Sequence, residues 1–183
     1  MRPFLACLLF AVASAQQIPP GVRYHRAPDA VNKQAHDVLA KILSGEAKAE
    51  DLAAASDKII VCGPTLWTAI KGSATGEMAG ATDVTFVVPG PGGNEILKGR
   101  GFKTEPQRKA FWKILLARYK QNKSLTIRKA NADELSYYWA MIPYDIDEPL
   151  FIAVTDKDRL LFDFSADNGA VKIFTVELIP DKK

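Results

Sequence analysis

Between residues 150 and 179 apolar side chains recur at every second position, and this alternation constrains the fold more than any other feature of the chain. Leu160, Phe162 and Phe164 interleave with Leu161, Asp163 and Ser165, and Phe174, Val176 and Leu178 interleave with Thr175 and Glu177. A period of two describes a strand whose two faces differ in polarity, and such strands pair antiparallel over a core. Turn residues stand at the breaks. Residues 156–159 read DKDR, and Asp167-Asn168-Gly169 is a hairpin signal because Asn and Gly accept positive φ. The pattern predicts strands at 150–155, 160–165 and 171–179, with two more at 125–129 and 136–142.

Upstream of this run the chain changes period. Thr104 and Gln107 are spaced as a helix capping box, with Pro106 in the first turn. Phe111, Ile114, Leu115 and Tyr119 then share one helical face, widened by Trp112 and Leu116, while Arg108, Lys109, Lys113 and Lys120 take the other side. Before it, VTFVV (84–88) and residues 95–102 form a predicted hairpin around PGPGGN (89–94). Val31, Ala35, Val38, Leu39 and Ile42 mark a first helix, with Asp29 placed to cap it and Gly45 to end it. An Ala-rich helix is expected at 49–55 and a buried strand at 58–62, closed by Gly63-Pro64. Residues 65–70 fit either a hairpin partner or a helical turn, and residues 71–81, rich in Gly, Ser and Ala, read as a loop.

The first fifteen residues bear on compartment. Arg2, the apolar run FLACLLFAV (4–12) and Ala13-Ser14-Ala15 have the layout of a secretory signal peptide cut after Ala15. The run is too short to span a bilayer, which takes ~20 apolar residues, and no other stretch approaches that length, so no membrane span is expected. The mature protein is expected to be secreted or periplasmic. Residues 16–28, with three prolines, read as an extended leader, and residues 29–183 as a single domain. Of the two cysteines, Cys7 lies in the signal and Cys62 in an apolar run, so an internal disulfide is not expected and Cys62 reads as a buried small hydrophobe.

Charge is unevenly spread. Residues 98–129 carry eleven basic groups and one acidic group, Glu105, whereas residues 130–183 carry five basic and eleven acidic groups. If Arg108, Lys109, Lys113 and Lys120 converge, they form a basic patch for an acidic partner. The simpler expectation is a solvated helix face with salt bridges to the acidic C-terminal strands. Nucleic acid is not expected to be a partner of an exported chain. His25 and His36 are the only histidines, and neither HxxxH nor CxxC spacing occurs, so neither a metal nor a cofactor is expected. Asp145, Asp147 and Glu148 lack the turn glycine and distal glutamate of a calcium loop.

The order of helices, hairpin, long helix and antiparallel strands resembles the nuclear-transport-factor-2-like superfamily, in particular its SnoaL-like branch. The likeness rests on DVTFVVPGPGG (83–93), ILKGRGFKTEPQRKAFWKILLARY (96–119) and LLFDFSADNGAVKIFTVEL (160–178). The resemblance implies an α+β cone, a cystatin-like roll in which helices pack on a curved antiparallel sheet around an apolar pocket. Members include isomerases, cyclases, dehydratases and non-catalytic binding domains. The steroid-isomerase members use an Asp base with a Tyr and an acid at the oxyanion site, and Tyr137, Tyr138 and Asp163 are the matching residue types here.

These readings converge on an exported domain that binds a small hydrophobic ligand or associates with itself as a homodimer, without catalysis. Trp112, Tyr137, Trp139 and Phe162 are the pocket candidates. In the enzymatic alternative Asp163 would act as general base and Tyr138 would polarise a carbonyl. In a third reading the basic face is an adaptor for acidic partners.

Overall fold

A computed structural model describes residues 24–25, 27–90, 93–120, 126–131, 133–135, 137, 146–147, 149–167 and 170–180. The signal sequence read in residues 1–15 and most of the leader lie outside these. The element order is β1 (Tyr24–His25), α1 (Asp29–Leu43), α2 (Ala49–Ala55), β2 (Ser56–Cys62), α3 (Pro64–Ile70), β3 (Thr82–Gly90), β4 (Gly93–Phe102), α4 (Glu105–Tyr119), β5 (Thr126–Lys129), β6 (Ile146–Asp147), β7 (Leu150–Val154), β8 (Arg159–Asp167) and β9 (Ala170–Ile179).

Seven strands form an open sheet in the order β3-β4-β2-β9-β8-β7-β5, and β1 pairs separately with β6. The expected antiparallel hairpins are present: β3 with β4, β7 with β8, and β8 with β9. Within the seven-stranded sheet one pairing departs from the antiparallel expectation, and the short β1–β6 pair is parallel as well. β2 runs parallel to β9, with Val61 opposite Thr175 and Cys62 opposite Val176, while its other edge is antiparallel to β4. The apolar run Ile59-Ile60-Val61-Cys62 suits this interior place, because a strand covered on both faces has no solvent side to mark with polar residues.

The middle of the sheet is buried on both faces. On one, the four helices contribute Leu39, Leu52, Leu66, Phe111 and Trp112 to a continuous core with Ile60, Phe102, Phe162, Phe164 and Val176. On the other, Leu135 packs on Val61, Ile152, Leu161 and Ile179. Trp112 is wholly buried and its indole N–H donates to the Ser56 hydroxyl at 2.8 Å, while that hydroxyl donates to the Leu52 carbonyl at 2.7 Å. The largest side chain of the core is therefore also satisfied as a donor.

Helix α4 begins as its sequence predicts. The Gln107 N–H donates to Thr104 Oγ1 at 3.4 Å, and Gln107 Oε1 accepts from the N–H groups of Lys103 and Thr104. Gln107 also donates to the Ala79 carbonyl at 3.2 Å, which ties the preceding loop to the helix. Other expectations change. Asp29 lies in the first turn of α1, after Pro28 at the cap position. Residues 65–70 belong to a helix, α3, started by Pro64. The loop read over 71–81 contains two 3-10 turns, Lys71–Ser73 and Gly76–Met78.

The strand expected at 136–142 does not begin there. Residues 133–135 and 137 are helical, and residues 136 and 138–142 lie outside the described set. Local capping explains the helix. The Glu134 N–H donates to Asn131 Oδ1 at 3.0 Å, and the Asn131 N–H donates back to Glu134 Oε2 at 2.9 Å. This reciprocal arrangement starts a helix, and at Tyr137 it prevails over the strand preference of an aromatic residue.

Replacing Trp112 by Ala should cost about 3–5 kcal/mol, since it empties a large core volume. Thr104→Ala, which removes one cap acceptor, should cost about 1 kcal/mol. Urea unfolding of both variants, with the denaturant slope unchanged, checks the ranking.

Candidate functional site

Where α1 ends, Gly45 adopts φ 78° and turns the chain towards α2. That turn and helix α4 border a cleft of about 680 Å³. Its floor is apolar: Ile42 from α1, Leu115 and Leu116 from α4, and Leu160 and Phe162 from β8. Lys113, Lys120 and Glu50 stand at its rim. The volume lies within the ~300–1,000 Å³ usual for small-molecule sites, as does the combination of apolar walls with a few polar groups.

The charges at this rim are not balanced. Glu50 is bound by Lys109 at 2.5 Å, and its carboxyl is lowered from the ordinary range chiefly by that hydrogen bond. Among the described residues no ion pair forms at Lys113 or Lys120, so the mouth carries net positive charge. Tyr119, on the cleft wall, is fixed from behind. Its hydroxyl donates to Asp158 Oδ2 at 2.7 Å, and Arg118 donates to the same oxygen through Nε and Nη2. Burial first, and then this bond, push the Tyr119 phenol well above its ordinary range, so it remains a neutral donor.

The predicted basic residues therefore divide. Arg108 is used structurally: it donates to the backbone carbonyls of Ala53, Lys58 and Lys103. Lys109 pairs with Glu50, while Lys113 and Lys120 face the cleft. Lys98 and Arg100 pair with Asp83 across the β3–β4 hairpin, so only part of the basic segment reaches the acidic C-terminal third. Contacts of this kind include Arg118 with Asp158 and Arg128 with Glu134. The Glu134 carboxylate is nearly enclosed and also receives Arg159. Burial works to raise its pKa, but the hydrogen bonds from Arg128 and the Asn131 backbone, with both guanidinium charges, outweigh it and hold the group lowered.

A second polar cluster lies on the opposite face of the sheet. Because Val176 and Leu178 enter the helix-covered core, Glu177 points the other way and is fully buried. Strand β2 ends beside it at Cys62, and α3 starts there. Glu177 Oε1 accepts from the N–H groups of Leu66 at 2.7 Å and Leu178 at 2.6 Å, and Oε2 accepts from the Thr65 N–H at 3.2 Å. Thr65 Oγ1 and Tyr137 Oη share a hydrogen bond of 2.9 Å beside it. Burial pushes the Glu177 carboxyl up to about 7 against the lowering effect of the three backbone donors. Gly63 makes the fit possible, since a Cβ at that position would collide with the Glu177 carboxylate.

Of the pocket candidates, Phe162 lies on the cleft floor, whereas Trp112 is core and Tyr137 belongs to the Glu177 cluster. Tyr138 and Trp139 lie outside the described residues. Asp163 is half-buried on β8, opposite Leu150 and Thr175. The sequence reading did not find Glu177. Its alternation marks it as a polar-face residue, and its helix partners stand 111 and 112 positions away. The α1 wall of the cleft was also missed, although Gly45 marked the turn that borders it. Among the described residues no group of three or more His, Cys, Asp or Glu is placed to hold a metal ion, and no helix is long and apolar enough to cross a membrane. Comparison with models of known protein families, with curated proteins and with solved structures finds no match to this chain.

If Gly63 is the partner that lets Glu177 close against α3, Gly63→Ala should destabilise the protein by roughly 3 kcal/mol through overpacking. Gly72→Ala, whose new methyl group meets open space, should stay within about 0.5 kcal/mol. Denaturant melts of the two variants side by side check this contrast.

Proposed function

We propose that this chain binds, without transforming it, a free aliphatic carboxylate: an amphipathic anion whose tail lies along the cleft between α1, α4 and β8. The observation that carries the reading is the pairing of an apolar floor with two lysines, Lys113 and Lys120, that have no carboxylate partner among the described residues. An apolar tail released from water onto the partly exposed Leu43, Leu116 and Tyr119, above the buried Leu160 and Phe162, gains roughly 25 cal/mol per Å² buried. The lysines select the charged end and add a smaller, salt-sensitive contribution.

Binding is favoured over catalysis by the placement of the carboxylates. A general base must stand within hydrogen-bond reach of the proton it removes. Glu177, the carboxyl pushed furthest up, is fully enclosed and already accepts three backbone N–H groups. An adaptor role for the basic segment draws little support, because Arg108, Lys109 and Arg118 spend their donors on internal contacts. In this reading the cleft takes the place of the apolar pocket of a nuclear-transport-factor-2-like cone. The signal sequence read in residues 1–15 would place the binding protein outside the cytoplasm.

Calorimetric titration with dodecanoate and with dodecanol checks the proposal. The acid should bind about five- to ten-fold more tightly than the alcohol at low salt, a difference of roughly 1 kcal/mol for two exposed charges. K113Q/K120Q should remove that preference while leaving alcohol binding in place, and Ala117→Trp, which fills the cleft mouth, should weaken both ligands. Binding of neither ligand to the wild-type protein would overturn the cleft reading. Equal binding of acid and alcohol would retain the cleft and remove the anion from it.

A further inference from the structure

The Glu177 cluster lies on the far face of the sheet from the cleft, and its construction is unusual for a carboxylate. Three elements meet there. Strand β2 stops at Cys62, and the Gly63 N–H donates to the Val176 carbonyl at 3.0 Å, which docks the β2–α3 junction onto β9. The Thr65 and Leu66 N–H groups, at the start of α3, then close on the Glu177 side chain. Junction and strand therefore hold each other through one enclosed carboxyl group.

Among the described residues no cation is paired with it. Arg100, the guanidinium on β4 beside Cys62, is bound to Asp83 and lies 5.1 Å from the centroid of the Trp67 ring. The other polar groups around the cluster are the Cys62 thiol on β2, the Thr65 hydroxyl on α3, the Tyr137 hydroxyl, Thr175 on β9, and Asp163 on β8 opposite Thr175. None is cationic, and Thr175 Oγ1 is buried with no hydrogen-bond partner. Helix α3, with seven residues, offers only the partial positive charge of its first N–H groups. An ionised carboxylate in this place has lost its water and gained no full countercharge.

The two oxygens are not equivalent. Oε1 accepts two short bonds, from Leu66 and Leu178, whereas Oε2 accepts a single longer one from Thr65. Oε2 is thus the oxygen that can carry a proton while both short bonds stay in place. Protonation cancels the buried charge without dismantling the grip on α3.

We infer that the β2–α3 junction is a proton-linked latch, in which Gly63 to Leu66 docks over a protonated Glu177 and loosens when that proton is lost. The direction follows from linkage. The docked carboxyl titrates near 7, above the ordinary carboxylate range it regains once solvated, so docking takes up a proton. Latch stability is full below the ordinary carboxylate range, falls as pH rises towards 7, and levels off above it. The Cys62 thiol does not reverse this trend, since burial first and the Glu177 charge second push it well up, keeping it protonated through the same range. Burial likewise keeps the Tyr137 phenol up and neutral.

Hydrogen exchange on the full chain between pH 5 and 8 tests the latch, with rates corrected for intrinsic chemistry. Protection at the amides of Thr65, Leu66 and Leu178 should fall roughly forty-fold from pH 5 to pH 7, the effect of one linked proton, and flatten beyond. Protection at Ile152, in the far half of the sheet, should not follow it. E177Q should show no such dependence at the three amides. The side-chain carboxyl 13C resonance of Glu177 in the wild-type protein gives a second reading that needs no variant, and its titration midpoint should lie between about 6 and 8. A midpoint below about 5, pH-independent protection in the wild type, or a parallel fall at Ile152 would each overturn the inference.

Discussion

Strand β2 is the constraint on which the rest of the molecule depends. Without it the chain would make two separate sheets: the β3–β4 hairpin, and the strands β5 and β7 to β9. β2 joins them by pairing antiparallel with β4 and parallel with β9. Its four-residue apolar run allows both faces to be covered, by the helices on one side and by Leu135 and its neighbours on the other. Gly99 on β4 shows how tight the joint is, because a Cβ there would strike the Cys62 carbonyl and the Phe86 ring. A strand held so closely has few alternative registers, and everything built on it inherits its position.

Both polar features of the molecule follow from where β2 begins and ends. At its start, Ser56 places a hydroxyl under Trp112 and anchors α4 over the sheet. The cleft wall formed by Leu115, Leu116 and Tyr119 is therefore set from the core outward. At its end, β2 stops beside the middle of β9, and α3 turns away over Glu177. One strand thus fixes a cleft on the helical face and an enclosed acid on the other.

What could be read in the sequence was what depends on near neighbours. The capping box at Thr104 and Gln107, the buried run before Gly63, the hairpins at 84–102 and 160–179 and the two N-terminal helices all appear where local pattern placed them. The departure at Tyr137 from the strand expected over 136–142 is local as well. Asn131 and Glu134 already spell a helix start, which the aromatic run beyond them masks in the strand pattern. What the pattern did not reveal was pairing across more than a hundred residues. Nothing near Glu177 says that the start of α3 will close on it, and nothing near Cys62 says that its neighbour will be Val176 in parallel. Polar alternation alone cannot separate a solvated Glu from an enclosed one.

The parallel pairing of β2 with β9 also sets an order of assembly. Ser56 lies opposite Ile173, and Cys62 opposite Val176, so the centre of the sheet joins segments more than a hundred residues apart. Hairpins such as β3–β4 and β8–β9 can form as soon as their own residues exist, but the strand between them has only one covered edge until β9 is made. Closing so long a loop is slow compared with local pairing. A nascent chain must therefore hold an apolar strand with an open edge from the time β2 emerges until β9 follows more than a hundred residues later, an interval in which such edges are exposed to wrong partners.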